Sequence, residues 1–220
     1  MLIDICFNGN NASLTARDVM TSAKVERELK EIGYQKAYSQ YRFIKDKKVE
    51  DAVLPPIVFA FYAYILLKER IPKPFELVNW YYRINDFRYT EDTVNWNGKV
   101  YSRDGINGRV LRSYPSLVRD YHFFLLLTES GLFDNVTYSF QEDRNGKDIL
   151  IVQNGIEYQV SLFVATRRSL AFKEIKNTCR HTYENEIQVP LLLGDAQQCG
   201  DFYLYSQKDI DFIKTKTCIL

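Results

Sequence analysis

The residues best equipped for chemistry in this chain are its basic side chains and the aromatic rings set among them. From Trp80 to Arg119 the two types interleave, through Arg83, Phe87, Arg88, Tyr89, Trp96 and Tyr101. Guanidinium groups hold phosphate oxygens through paired N–H donors and aromatic faces stack on exposed bases, so the mixture suits nucleic acid. Within it, RDGINGRVLRSYPS combines two glycines with Arg103, Arg109 and Arg112, and predicts a phosphate-facing loop at a domain junction, with Arg119 close behind. The acids Asp86, Glu91, Asp92, Asp104 and Asp120 dilute that charge, and interdomain packing with a polar rim is the competing reading. A second basic run follows at Arg167, Arg168, Lys173, Lys176, Arg180 and His181, interrupted only by Glu174. On a helix beginning at Thr166 or Ser169 these side chains and the helix N-terminus make a phosphate site, or else a solvated face. Together with Arg109, Arg112 and Arg119 they could line one basic groove.

Other chemistries lack their residues. His122 and His181 are the only imidazoles, and His122 sits in an apolar run where a packed ring is the simpler reading. No G-x-S-x-G, Walker A, dinucleotide glycine fingerprint or H-E-x-x-H occurs.

The elements that must position these residues can be read from periodicity. Val25, Leu29 and Ile32 recur at helical spacing from Asp18 to about Ile32, with Gly33 placed for a left-handed cap. Pro56 opens a second helix, apolar nearly all round, and Pro74 a third carrying Leu77, Tyr81 and Ile84. After Pro115 an apolar helix runs to about Gly131. Strands VTYSF, ILIVQ and IEYQVSLFVA follow, joined through Asn145-Gly146 and Asn154-Gly155, and Asn-Gly favours the tight hairpin turn. The basic helix, strands IQVPLLL and DFYLY, and a short helix from about Gln207 complete the chain. The expected organisation is a helical N-terminal domain, residues 1–110, and an α/β domain, residues 111–220, within an α+β or α/β class with a mixed central sheet.

The αβββαβ order of the second domain resembles the PD-(D/E)XK nuclease superfamily. The resemblance implies a DNA endonuclease-like activity using Mg2+ or Mn2+, with the helix supplying Glu129, the second strand Asp148, and the third strand Glu157 and Gln159 in place of an acidic-x-Lys pair. Asp148 and Glu157 would be the metal ligands, since carboxylates hold a cation that polarises phosphate and activates water. DNA is favoured over RNA as the partner.

Hairpin geometry tests that set. A two-residue turn at Asn154-Gly155 puts Ser161 opposite Asp148 and Val152 opposite Glu157. Asp148 and Glu157 then share a face but lie about 13 Å apart at roughly 3.3 Å per residue, too far for one metal. The family's acid and lysine positions would fall on Ser161 and Phe163. Either a bulge or strong twist closes the gap, or the fold persists as an inactive nucleic-acid-binding, regulatory or protein-interaction subunit.

Bulk properties narrow the context. With 29 basic and 28 acidic residues the net charge is +1, so nucleic-acid binding must come from local patches. Cys6, Cys179, Cys199 and Cys218 form no C-x-x-C pair, which fits a reducing, cytoplasmic setting. The N-terminus lacks the pattern of a secretory signal, and the apolar run Ile57–Leu67 is too short to span a bilayer. No membrane partner is expected, whereas a protein partner remains open.

Overall fold

The computed structural model describes residues 2–7, 10–15, 20–139, 148–167, 169 and 185–218, of which 2–7, 10–15 and 139 by backbone alone. The chain is a mixed α/β protein dividing into two units: Met1–Ser22 with Arg119–Gln198 and Tyr203–Leu220, and Ala23–Val118 with Cys199–Phe202. The division differs from the expected break after residue 110. It falls between 118 and 119, and the N-terminal residues group with the sheet. Backbone pairing explains the second difference. Strands β1 (Leu2–Phe7) and β2 (Asn10–Thr15) pair antiparallel, and β1 runs parallel to β6 (Asn135–Ser139) through Ile3↔Tyr138 and Asp4↔Ser139.

The helical unit contains α1 (Ser22–Glu31) from Ala23 onward, α2 (Tyr34–Ser39), α3 (Lys47–Glu50), α4 (Ile57–Lys68) and α5 (Pro74–Ile84). Three short strands, β3 (Arg88–Tyr89), β4 (Thr93–Trp96) and β5 (Lys99–Ser102), form an antiparallel sheet that periodicity did not reveal. Pro74 opens α5 and Leu77 and Tyr81 are buried, as the spacing predicts. The left-handed cap expected at Gly33 is not formed: its φ is −77°, and it stands at the start of α2 instead. Helix α4 ends in the left-handed region one residue on, at Glu69 (φ 54°).

The largest correction concerns RDGINGRVLRSYPS. It is no loop but the first half of α6 (Arg103–Ser130), a helix that continues through Pro115. Its glycines serve close approach rather than a turn. A Cβ on Gly105 would lie 2.8 Å from Asp46 Cβ and 2.9 Å from Val49 Cγ2, and one on Gly108 would lie 3.0 Å from the Ile44 carbonyl oxygen. Pro115 cannot donate to the Leu111 carbonyl four residues back. The buried Tyr34 hydroxyl donates to that carbonyl in its place, at 3.0 Å.

The other unit is built on a six-stranded mixed sheet in the order β2-β1-β6-β7-β8-β9, with β7 (Ile149–Gln153), β8 (Ile156–Val164) and β9 (Glu186–Leu191). Asn154 and Gly155 both have positive φ, 53° and 76°, the geometry expected for their hairpin turn. The Asn145-Gly146 turn lies outside the described residues. One sheet face buries Ile149, Ile151, Tyr158, Val160, Ile187 and Val189. Phe124 of α6 meets Tyr138 at 6.4 Å, and the Tyr158 hydroxyl reaches the Thr217 carbonyl of α7 (Gln207–Thr217) at 3.5 Å. The opposite face carries Leu150, Glu157, Gln159, Ser161 and Gln188. The DFYLY strand, β11 (Phe202–Leu204), pairs with β10 (Gln197–Cys199) in a separate two-stranded sheet. No helix among the described residues is long and apolar enough to cross a membrane.

Candidate functional site

The β7–β8 ladder runs without interruption from Ile149↔Val160 to Gln153↔Ile156, so no bulge shifts its register. Glu157 pairs with Val152 and is exposed, and Gln159 pairs with Leu150. Asp148 stands just beyond the first pair, four residues along the strand from the partner of Glu157, or about 13 Å at 3.3 Å per residue. Its N–H donates to the Val160 carbonyl at 3.1 Å, and its Oδ2 accepts the Leu162 N–H at 2.5 Å. The carboxylate thus closes the open end of the ladder, taking an amide that a longer β7 would have paired with its own backbone.

Ser161 occupies the register opposite Asp148. It is 5% exposed, and its hydroxyl donates to Glu186 Oε1 at 3.0 Å, an oxygen that lies 3.4 Å from Gln188 Nε2. Gln159 Oε1 is buried with no hydrogen-bond donor among the described residues. Glu129 lies on the exposed side of α6, where its carboxylate accepts the Ser22 N–H at 2.8 Å and the Ser22 hydroxyl.

These positions bear on the metal that the nuclease resemblance implies. Mg2+ needs oxygens converging at about 2.0–2.1 Å. Glu129 is turned to Ser22, Asp148 to Leu162, and Glu157 lies along the strand, so these residues do not fit a shared Mg2+ or Mn2+. Among the described residues no three His, Cys, Asp or Glu side chains cluster as metal ligands.

Four of the expected phosphate-binding arginines, Arg103, Arg109, Arg112 and Arg119, are engaged within the fold. Arg103 donates to the Thr90 and Glu91 carbonyls, both at 3.3 Å, and lies over the Tyr89 ring at 5.1 Å. Arg109 donates to the Val49 and Ala52 carbonyls at 2.5 and 3.0 Å, just past the end of α3, where the same carbonyls also accept the Ala52 and Leu54 N–H groups at 3.3 and 3.0 Å. Arg112 donates to the Ile44 carbonyl at 2.6 Å and pairs with Glu50. Arg119, in the sheet unit, is 11% exposed with its Nε 3.6 Å from Asp120 Oδ1. Arg167 is exposed and directly follows Thr166, whose hydroxyl accepts the Ser169 N–H at 3.1 Å while Ser169 Oγ accepts the Thr166 N–H at 2.9 Å. That reciprocal cap starts a helix where the sequence places one. Arg168, Lys173, Lys176 and Arg180 lie outside the described residues.

Two residues near the site are not marked by the linear pattern. Glu186 reaches Ser161 only because β9 runs parallel beside β8, with Ser161↔Gln188 in register. Tyr205, fully buried, donates to the Val189 and Phe163 carbonyls at 3.1 and 3.3 Å. Burial, and after it the Asp120 charge, push its hydroxyl pKa up, so it remains a neutral donor. His122 is completely buried in α6, as its apolar neighbours suggested. Among known proteins, no family model, curated protein or solved structure matches this chain.

Proposed function

We propose that this chain is a nucleic-acid-binding protein whose sheet unit has a nuclease-like αβββαβ order but works by binding rather than hydrolysis. The order α6, β6, β7, β8, a helix starting after Thr166, then β9 supports the likeness. The observation that carries the non-hydrolytic reading is the β7–β8 register, which sets Ser161 opposite Asp148 while Leu162 holds the Asp148 carboxylate. Exposed Arg167 at the head of a basic sequence supports phosphate contact. The test is fluorescence anisotropy of labelled DNA and RNA against salt. Binding that weakens linearly in log salt, and weakens further in Arg167→Gln/Arg168→Gln, supports the proposal. No binding to either nucleic acid at low salt rejects it.

One observation favours a hydrolytic second reading: Glu186 brings a carboxylate to Ser161 from the neighbouring strand. Divalent-metal-dependent cleavage that disappears in Glu186→Gln would establish that reading over the first.

A further inference from the structure

We infer that the helical unit carries its own site for single-stranded nucleic acid, centred on Phe43 and the basic side chains of Arg42, Lys45, Lys47, Lys48 and Lys99. The site is distinct from the Arg167 helix and does not depend on it.

The turn between α2 and α3 is held on both sides of Phe43. Ahead of it, the Tyr41 hydroxyl lies 3.4 Å from Asn107 Nδ2, and behind it the Ile44 carbonyl accepts Arg112 at 2.6 Å. Asp46 then caps α3 by accepting the Val49 N–H at 3.2 Å. The close approach at Gly108 presses the same turn onto α6. On this anchored turn the Phe43 ring is 86% exposed, with the Arg42 guanidinium 5.4 Å from its centre. The ring stands ready to stack at little ordering cost.

Cations flank it along the chain. Arg42, Lys45, Lys47, Lys48 and Lys99 are all exposed, and none pairs with a carboxylate among the described residues. Lys48 donates to the Val100 carbonyl of edge strand β5 at 2.6 Å and lies 5.6 Å from the Tyr101 ring. That contact brings Lys99 and the half-exposed Val100 beside α3, which directly follows the turn. Three carboxylates lie close in sequence: Asp46 is used as the cap, Glu50 is paired with Arg112, and Asp51 is exposed. The positive side chains therefore dominate.

Charge alone would suit any polyanion, and the ring selects among them. Phe43 projects from the surface instead of lining a groove, so it can stack on a flat base but cannot enclose an apolar side chain. Bases offer their faces freely only in single strands, and stacking on an aromatic side chain tolerates any sequence.

The test is anisotropy of a labelled oligo-dT of about 16 nucleotides with the full chain, across a salt series. The four cations other than Lys48, which is held by the Val100 carbonyl, predict a slope of log K against log salt near −3, and Lys45→Gln/Lys47→Gln should reduce it by about 1.4. Phe43→Ala should weaken oligo-dT binding roughly tenfold, with Phe43→Trp restoring it and duplex binding unchanged. Phe43 is 86% exposed, so unchanged circular dichroism is expected in all variants. Wild-type affinity in both Phe43→Ala and the lysine variant overturns the site, even if Arg167→Gln/Arg168→Gln abolishes binding, an outcome that leaves the sheet unit's role standing. Capture of an oligo-glutamate peptide without oligo-dT binding also overturns it, in favour of an acidic protein segment.

Discussion

Removing the Tyr34 hydroxyl tests why α6 continues through Pro115, and with it the reason Arg103, Arg109 and Arg112 are helix side chains instead of members of a phosphate loop. The hydroxyl is the donor to the Leu111 carbonyl that proline leaves without its helical partner, on a ring 4% exposed and stacked 5.7 Å from Tyr114. Tyr34→Phe keeps the ring and leaves a buried carbonyl unpaired, which should cost about 1–3 kcal/mol. Pro115→Ala returns an N–H directed at the same carbonyl. In that background Tyr34→Phe should cost about 1 kcal/mol less, because the carbonyl keeps a partner. Urea unfolding of wild type, both single variants and the double variant, followed by circular dichroism, closes the cycle. Costs that add within about 0.5 kcal/mol would refute the shared carbonyl.

Three further outcomes follow from the same contacts. Asp148→Ala should destabilise the chain by about 1–3 kcal/mol in EDTA by stranding the Leu162 N–H, while Asp148→Asn, which keeps an oxygen acceptor, should recover most of it; an alanine variant as stable as wild type in EDTA would contradict the ladder-closing role. Gly105→Ala should lower the melting temperature, because overpacking of about 1–3 kcal/mol against Asp46 and Val49 exceeds the roughly 1 kcal/mol gained in helix propensity; a higher melting temperature would contradict the close approach. The Glu76 carboxyl is lowered from 4.5 to about 2, chiefly by its hydrogen bonds to Arg70 and further by the Lys73 N–H, although burial opposes this. A folded pKa below the unfolded value gives stabilisation that is full above about pH 4.5 and lost as pH falls toward 2. With the side chain 38% exposed, its worth is discounted to about 1 kcal/mol. Glu76→Gln should therefore weaken the chain at neutral pH and match wild type near pH 2, as read by urea midpoints, and a pH-independent difference would exclude the ion pair.

Local signals were legible where the physics is local. Pro74 with Leu77 and Tyr81 predicts α5, and Asn154-Gly155 fixes a two-residue turn and hence the Ser161–Asp148 register. The continuity of α6 was hidden because Gly105, Gly108 and Pro115 are local breakers. Their tolerance depends on Asp46, Val49, Ile44 and Tyr34, the last of these 77 residues from Leu111. Arginine spacing shows where donors are but not which carbonyls they find, and the Ile44, Val49 and Ala52 carbonyls become acceptors only once α3 folds beside α6. Glu186 carries no linear signal for a related reason, since parallel β8–β9 pairing joins residues across an intervening stretch of chain. The β1–β6 pairing is longer in range still.

Binding without cleavage is tested most directly by one incubation of labelled single- and double-stranded DNA with the purified chain and Mn2+, read on native and denaturing gels in parallel. Salt-sensitive retention on the native gel with intact strands on the denaturing gel is the expected result. Strand breaks that require the metal and vanish in Asp148→Ala or Glu186→Gln would contradict it.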